Sequence, residues 1–353
     1  MSAPTSPISP TQSFTLDRGR VVTLADATGE PTDRPTIGGG GVYAATGARL
    51  FLPPQNVGYI ADCGPDLPAE YRTELLGLGE EAVWLRPRAE PTTRALNLYS
   101  SGIIGEGQQT FEYLSPPKRL VLSDYFREDS PLADPPPHWV HVVCDAERAK
   151  QVLEDARVCF REGWRGRLAW EPLIREGEEV STSTPNHLEL QTILDTDADV
   201  ETCARLFQGR MVMYGGRVPS IVVRAGAQGS FTLAEDWAGW VPAYHTALGK
   251  IQDVTGAGNA FMGGLLAGLF ATQDSRTASI WGAIAASFAI EQRGPAIGVD
   301  AMFVNARLRE LTRRVDEAEG VYWGEESVGR SSMESSSLGT ISEDDRYLDC
   351  EEE

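Results

Sequence analysis

The sequence predicts an α/β protein built on a parallel sheet, with a second, smaller sheet over one end. Three observations point there. Strand-like apolar runs alternate with helical patterns through the middle of the chain, the order that βαβ units produce. The segment "TRALNLY" (Thr93–Tyr99) instead alternates apolar and polar residues, as a half-exposed strand does. Finally, "DVTGAGNAFMGG" (Asp253–Gly264) is a glycine-rich turn running straight into a helix of small residues.

Taken in order, the first dozen residues are rich in Ser, Thr and Pro and are expected to be disordered. They lack the basic region and apolar core of a secretory leader. "RVVTLAD" (Arg20–Asp26) is a weak candidate for the first strand, and "NVGYIAD" (Asn56–Asp62) and "AVWLR" (Ala82–Arg86) are stronger ones. A helix from about Asp66 to Leu76 lies between those two. "WVHVVCD" ends at Asp145, an N-cap residue for a helix over Ala146–Arg161, and "GRLAWEPL" returns as a strand. "SIVVRAGAQGSFTLA" (Ser220–Ala234) reads as two strands around an Ala-Gln-Gly turn, followed by helices at Ala257–Phe270 and Thr277–Gln292. From about Asp316 the chain is acidic and serine-rich, so residues 316–353 are expected to be a disordered tail dispensable for folding. A single domain over residues 13–315 remains.

Composition removes several function classes. Of the formal charge of −20, the segment from Asp316 to Glu353 contributes −11, so the body is only moderately acidic. Neither part carries the basic footprint that nucleic acids or anionic membranes require. The longest apolar runs, "FMGGLLAGLFA" and "WGAIAASFAI", are about half the ~20 residues of a membrane-spanning helix. The five cysteines form no CxxC pair and no metal spacing, which points to free thiols in a reducing, cytoplasmic compartment. His138 and His141, beside a proline run, read as partly exposed strand-edge residues rather than metal ligands.

The turn at residues 255–259 carries the chemistry. Backbone N–H groups at a helix start are unpaired and sit at the positive end of the helix dipole, so they attract anions. The spacing is not that of a dinucleotide fingerprint, because Gly256-x-Gly258 is followed by Phe261, and there is no Walker lysine. On these residues alone, an anion site and a structural glycine turn stand level. Asn186 followed by Glu189 also fits a helix capping box, the run Gly38–Gly41 a flexible loop, and Arg224 a surface strand residue.

Taken together, the motifs resemble the ribokinase/PfkB carbohydrate kinases. "DVTGAGNAFMGG" is similar to that family's C-terminal signature, and "IGGGGVYAATGARL" (Ile37–Leu50) to its N-terminal glycine motif. "TPNHLEL" (Thr184–Leu190) resembles its N-x-x-E motif, "VVRAGAQGSF" (Val222–Phe231) its nucleotide-site strand and turn, and "AIAASFAIEQRG" (Ala283–Gly294) the helix enclosing the adenine. The four glycines followed, after Val42, by Tyr-Ala, the GAGN ending and "EYLSPPKR" are similar to a fungal branch linked to maintenance of killer virus particles. The resemblance implies a doubly wound sheet with helices on both faces, a β lid, and ATP and Mg²⁺ as cofactors. It implies that Gly256, Ala257 and Gly258 form an anion hole. Arg224, Gly226, Gly229, Thr255, Ser287 and Gly294 would border the nucleotide, Asn186 and Glu189 would organise magnesium through water, and Gly39, Gly40 and Asp26 would face the acceptor.

Two departures bear on the chemistry. Asn259 stands where the family places its catalytic aspartate, and an amide cannot accept a proton from the acceptor hydroxyl. Tyr43 stands near the position of a substrate-contacting asparagine. Two readings follow: a Mg-ATP-binding protein with slow transfer to a sugar or nucleoside hydroxyl, or an inactive pseudokinase serving as a nucleotide-binding or structural module. The expected partners are a nucleotide, an acceptor, and a protein partner or a second copy in a homodimer, with no nucleic acid and no membrane.

Overall fold

The computed structural model describes residues 12–15, 20–25, 35–99, 109–115, 119–172, 185–215, 218–246 and 248–320. The chain runs β1 (Gln12–Thr15), β2 (Arg20–Ala25), β3 (Thr36–Gly38), α1 (Gly40–Arg49), β4 (Val57–Cys63), α2 (Ala69–Leu76), β5 (Val83–Pro87), β6 (Arg94–Tyr99) and β7 (Gln109–Tyr113). It continues through β8 (Pro137–Cys144), α3 (Ala146–Arg161), β9 (Arg167–Pro172), α4 (His187–Leu194), α5 (Val200–Gly215), β10 (Ile221–Arg224), β11 (Ser230–Leu233) and β12 (Ala238–Val241). Three helices close it: α6 (Ala257–Thr272), α7 (Ser275–Ala289) and α8 (Ala301–Ala318).

The central sheet has the order β5-β4-β1-β8-β9, all parallel. An antiparallel sheet β10-β11-β12 is tied to the start of α4 by a bridge between Arg224 and Asn186. The lid is the four-stranded sheet β3-β2-β6-β7. The strand expected at residues 20–26 therefore forms, but in the lid; the central sheet takes β1 instead, which starts at the edge of the stretch expected to be disordered.

Side-chain alternation along β4 shows why this sheet is covered on both faces. Val57, Tyr59, Ala61 and Cys63 pack with Val42 and Ala45 of α1, while Ile60 points the other way to Val140, Val142, Val152 and Ala156. Several helix starts are set by a short acceptor side chain. Asp145 accepts from Arg148 N–H at 2.8 Å, Asp274 from Thr277 N–H at 2.7 Å and Asp300 from Met302 N–H at 2.7 Å. Such caps are each worth about 1 kcal/mol.

The small residues of α6 let it lie between α1 and α7 at backbone contact. A Cβ at Gly263 would fall 1.9 Å from the Ala44 carbonyl oxygen, and one at Gly264 2.5 Å from that of Trp281. The helix is buried on every side from Ala260 to Gly268, so its N-terminal turn has a fixed place. Cys63, Cys144, Cys159 and Cys203 are free and buried. Burial pushes the thiols of Cys63 and Cys144 up to about 11 and about 12, which leaves them unreactive.

The tail boundary expected at Asp316 falls inside α8, which continues to Ala318. Asp316 is buried and accepts from Arg276, and Glu319 accepts from Arg276 Nε at 2.9 Å and from Trp237 Nε1 at 3.0 Å. A chain ending at Gly320 should melt at the full-length temperature. One ending at Val315 strands Arg276 and should melt about 2–4 °C lower, read by calorimetry on the three proteins side by side.

Candidate functional site

Ligands of parallel α/β sheets bind beyond the C-terminal ends of the strands, and four polar side chains converge there. Glu171 lies near the end of β9, His141 on the adjacent β8, Arg224 ends β10, and Asn259 lies in the first turn of α6. Glu171 is the centre. Its Oε1 accepts from Arg224 Nη1 at 2.8 Å, and its Oε2 from Asn259 Nδ2 at 2.6 Å. His141 Nε2 lies 3.1 Å from the same Oε2. The side chains of Glu171, Arg224 and His141 are 9%, 12% and 1% exposed.

Burial alone would push the Glu171 carboxyl up. The charge of Arg224, the contact with His141 and the Asn259 amide outweigh it and hold the group at about 2. An ionised carboxylate only accepts hydrogen bonds, so Asn259 must turn its NH₂ toward Glu171.

The loop before α6 is shaped to admit this cluster. Gly256 has φ 78°, and a Cβ there would fall 2.3 Å from the ring of Tyr43, which is buried against the turn. At Gly258 a Cβ would fall 1.7 Å from Arg224 Nη1 and 3.5 Å from Glu171 Oε1. The guanidinium therefore lies directly against the helix start. Asp253 is buried and accepts from Thr255 N–H at 2.9 Å, while its own N–H reaches the Ile290 carbonyl at 3.3 Å, so it holds the loop. The Ala257 N–H bonds to the Val254 carbonyl at 3.2 Å.

Asn186 and Glu189 form the capping box of α4: Asn186 Oδ1 accepts from Glu189 N–H at 2.9 Å, and Glu189 Oε2 from Asn186 N–H at 2.7 Å. Glu189 Oε2 is also 3.9 Å from Arg224 Nη2, so the box adjoins the cluster. Gly226 opens the short turn after β10, and Gly229, with φ 105°, closes it. Gly39 caps α1 with φ 104° and Gly40 begins it, three residues ahead of Tyr43. Ser287 Oγ donates to the Ile284 carbonyl and accepts from Arg307 Nη1, both at 2.6 Å, and a Cβ built at Gly294 would lie 3.7 Å from Thr36 Cβ. Asp26 lies outside the described residues. Since β1, not β2, is the first central strand, the carboxylate next along the chain from that strand is Asp17, also outside them.

Two members of the cluster were not expected. His141 is not a strand-edge residue; it is on an inner strand between β1 and β9 and almost fully buried. Glu171 carried one usable signal, an acid closing a buried strand in "LAWEP". Among the described residues no group of three or more His, Cys, Asp and Glu is placed to hold a metal ion, and no helix is long and apolar enough to cross a membrane.

Residues 147–302 match the model of the pfkB family carbohydrate kinases. The matched stretch contains Glu171, Asn186, Glu189, Arg224 and Asn259. The chain resembles the ribokinase/PfkB family. Protein MAK32 of Saccharomyces cerevisiae is 26% identical over 287 residues, covering 73% of this chain and 78% of that one. Ribokinase from Giardia lamblia superposes with a TM-score of 0.60 at 15% identity, over 87% of this chain and 99% of that one. Ribokinase from Arabidopsis thaliana, solved with ribose and ATP, gives 0.58 at 16% identity, over 86% and 99%. The fold is thus ribokinase-like, and the sequence similarity extends to a fungal relative.

The Glu171 carboxyl sets a pH dependence. A carboxyl held below its unfolded value stabilises the fold fully above that value, and the contribution is lost as pH falls toward the folded one. From the ordinary 4.5 to about 2, the window runs from about pH 5 down to about pH 2 and is worth on the order of 3 kcal/mol. Urea denaturation of wild type and Glu171→Gln should show a stability gap at pH 7 that closes through this window. A gap unchanged at pH 3 would mean the carboxylate is not held by its neighbours.

Proposed function

We propose that the chain is a nucleotide-binding protein of the PfkB type in which phosphoryl transfer to a sugar or nucleoside hydroxyl is slow or lost. The observation that carries this reading is the 2.6 Å contact from Asn259 Nδ2 to Glu171 Oε2. The position that would take the acceptor's proton is an amide, and its NH₂ is committed to a neighbouring carboxylate. A positioned base is typically worth about 10²–10⁴ in rate. Positioning and electrostatics supply most of the rest in phosphoryl transfer.

Glu171 is no substitute base. A carboxyl held at about 2 has little affinity for a proton at pH 7, and its lone pairs already face Arg224, Asn259 and His141. The turn at Gly256–Gly258 and Arg224 support anion binding, with the Ala257 N–H already engaged within the turn. The likeness to a ribokinase solved with ATP supports adenine nucleotide as the ligand. Magnesium fits as an ion carried by nucleotide phosphates and water and steadied by the oxygens of Asn186 and Glu189, not as one caged by protein. When bound it neutralises phosphate charge. The residues of this chain supply the dipole of α6, the charge of Arg224 and the burial that excludes water.

The test is ATP consumption over a panel of sugars and nucleosides. Wild type should show weak or no turnover. Asn259→Asp alone should gain little, because it sets a second carboxylate against Glu171. The double variant Asn259→Asp with Glu171→Gln restores a base without that clash and should raise turnover by ~10²-fold or more where an acceptor site is competent. Wild-type turnover at ordinary kinase rates, lowered by aspartate at 259, would overturn the reading.

A further inference from the structure

We infer that Arg88 forms an anion site of its own, on the far side of the central sheet from Glu171, which takes the carboxylate or phosphate group of a small molecule. Its side chain is only 9% exposed, yet Nε and Nη1 are buried without a hydrogen-bond partner among the described residues. The carboxylate within ion-pair reach is that of Glu90, whose Oε2 lies 3.5 Å from Nε, beyond the ~2.7–3.2 Å of a hydrogen bond. The Glu90 side chain is 72% exposed, so water screens the contact and the carboxylate can turn away.

A guanidinium cannot shed its proton to escape burial, as a carboxylate or an amine can. Left unmatched, a buried charge is strongly destabilising. The chain matches two other buried guanidinium groups closely. Two residues earlier, Arg86 donates from Nε and Nη2 to Asp62 at 2.6 and 2.9 Å, and from Nη1 to Asp124 at 2.6 Å. Arg224 has Glu171 at 2.8 Å. Arg88 is given no such partner, so its counter-charge comes from outside the chain. The planar fork of a guanidinium fits groups that present two oxygens, a carboxylate or a phosphate.

The placement is that of a ligand site. Arg88 directly follows β5, and its backbone N–H continues the ladder to the Cys63 carbonyl, at the end of β4, at 3.0 Å. It therefore stands at the C-terminal end of the parallel strands, where ligands of such sheets bind. Glu171 stands at the same end on β9, four strand spacings away, or about 19 Å, so the two positions are separate. The loop beyond Arg88 is pinned as well. A Cβ at Gly64 would fall 2.4 Å from the Glu90 carbonyl oxygen, Thr92 Oγ1 accepts from Gly64 N–H at 3.0 Å, and Thr92 N–H donates to Asp66 at 2.6 Å. Past Thr92 the chain enters β6 of the lid, so backbone contacts on both sides hold the guanidinium at the foot of the lid. An anion meets a donor already in place, which lowers the cost of binding. A side chain covered this deeply is reached by the end of a small molecule, not by a folded protein surface.

The test is thermal unfolding of the full chain in chloride buffer of fixed ionic strength, alone and with millimolar ribose 5-phosphate, orthophosphate, gluconate or uncharged ribose. At least one of the anions should raise the wild-type midpoint by about 2–4 °C at ten times its dissociation constant, and ribose should not. Which anion does so tells a phosphate group from a carboxylate. Arg88→Met should lose the shift. In chloride alone it should melt at or above the wild-type temperature, because it removes a buried charge that nothing in the chain matches. Glu90→Gln should leave the chloride midpoint in place and keep or enlarge the anion shift. The inference is overturned by a wild type that no anion stabilises, or by an Arg88→Met protein that keeps the shift. It is equally overturned if Arg88→Met melts several degrees lower or does not fold, or if Glu90→Gln does, since the chain would then be matching the charge itself. None of these readouts involves nucleotide or Asn259, so this test and that of the proposed function fail separately.

Discussion

The ion pair between Glu171 and Arg224 constrains every other residue of the cleft. A buried carboxylate must be matched by donors, because leaving it unpaired costs several kcal/mol. The chain brings those donors from three other elements: β8, β10 and α6. Each contact dictates a residue type elsewhere. Arg224 reaches Glu171 by lying against the start of α6, which requires glycine at 258. Asn259 faces an acceptor at 2.6 Å, which requires a donor there. An aspartate at 259 and a glutamate at 171 would be two carboxylates at hydrogen-bond distance, and such a pair cannot both stay ionised. The amide at 259 is therefore what lets the carboxylate at 171 stay ionised.

That cluster could not hold its geometry on a mobile helix, and the packing of α6 explains why it does. The helix is wedged between α1 and α7 at backbone contact through Gly263 and Gly264, so a small shift along its axis would drive backbone atoms together. At its N-terminal end the ring of Tyr43 closes on Gly256, which joins the glycine-led α1 to the turn. Asp253 ties the preceding loop to the end of α7 through the Ile290 carbonyl. The N-terminus of α6 is thus located by contacts from two helices and one loop, and the Asn259 amide inherits that precision.

The parts of this arrangement legible in the sequence are those set by neighbours in the chain. The span of α3 follows from its Asp145 cap and its apolar period, and the β10–β11 pair from its Ala-Gln-Gly turn. The short strands β3, β7 and β12, at three to five residues, carry too little pattern to read. The place of β2 in the lid was not readable either, since strand residues do not name the sheet they join. The ordered motifs led to Arg224, Asn259 and the Asn186–Glu189 box. They did not lead to Glu171 or His141, which matter only through contacts 88 and 30 residues away along the chain.

Stability does not account for the cluster. Replacing a buried ion pair with well-packed apolar residues of similar volume is often neutral or stabilising. A scaffold that had merely lost its chemistry would gain by filling the cleft with aliphatic side chains, as its own core does around Ile60 and Val140. Here the cleft instead holds Glu171, Arg224 and His141, all at least 88% buried at the side chain. What such a network supplies is fixed direction, since each donor is aimed by its partner and cannot relax toward a ligand of another shape. The arrangement keeps a preset pattern of charge at the head of α6, with the Asn259 amide committed to Glu171. Under the function proposed above, that rigidity suits binding an anion of fixed shape better than moving a proton at 259.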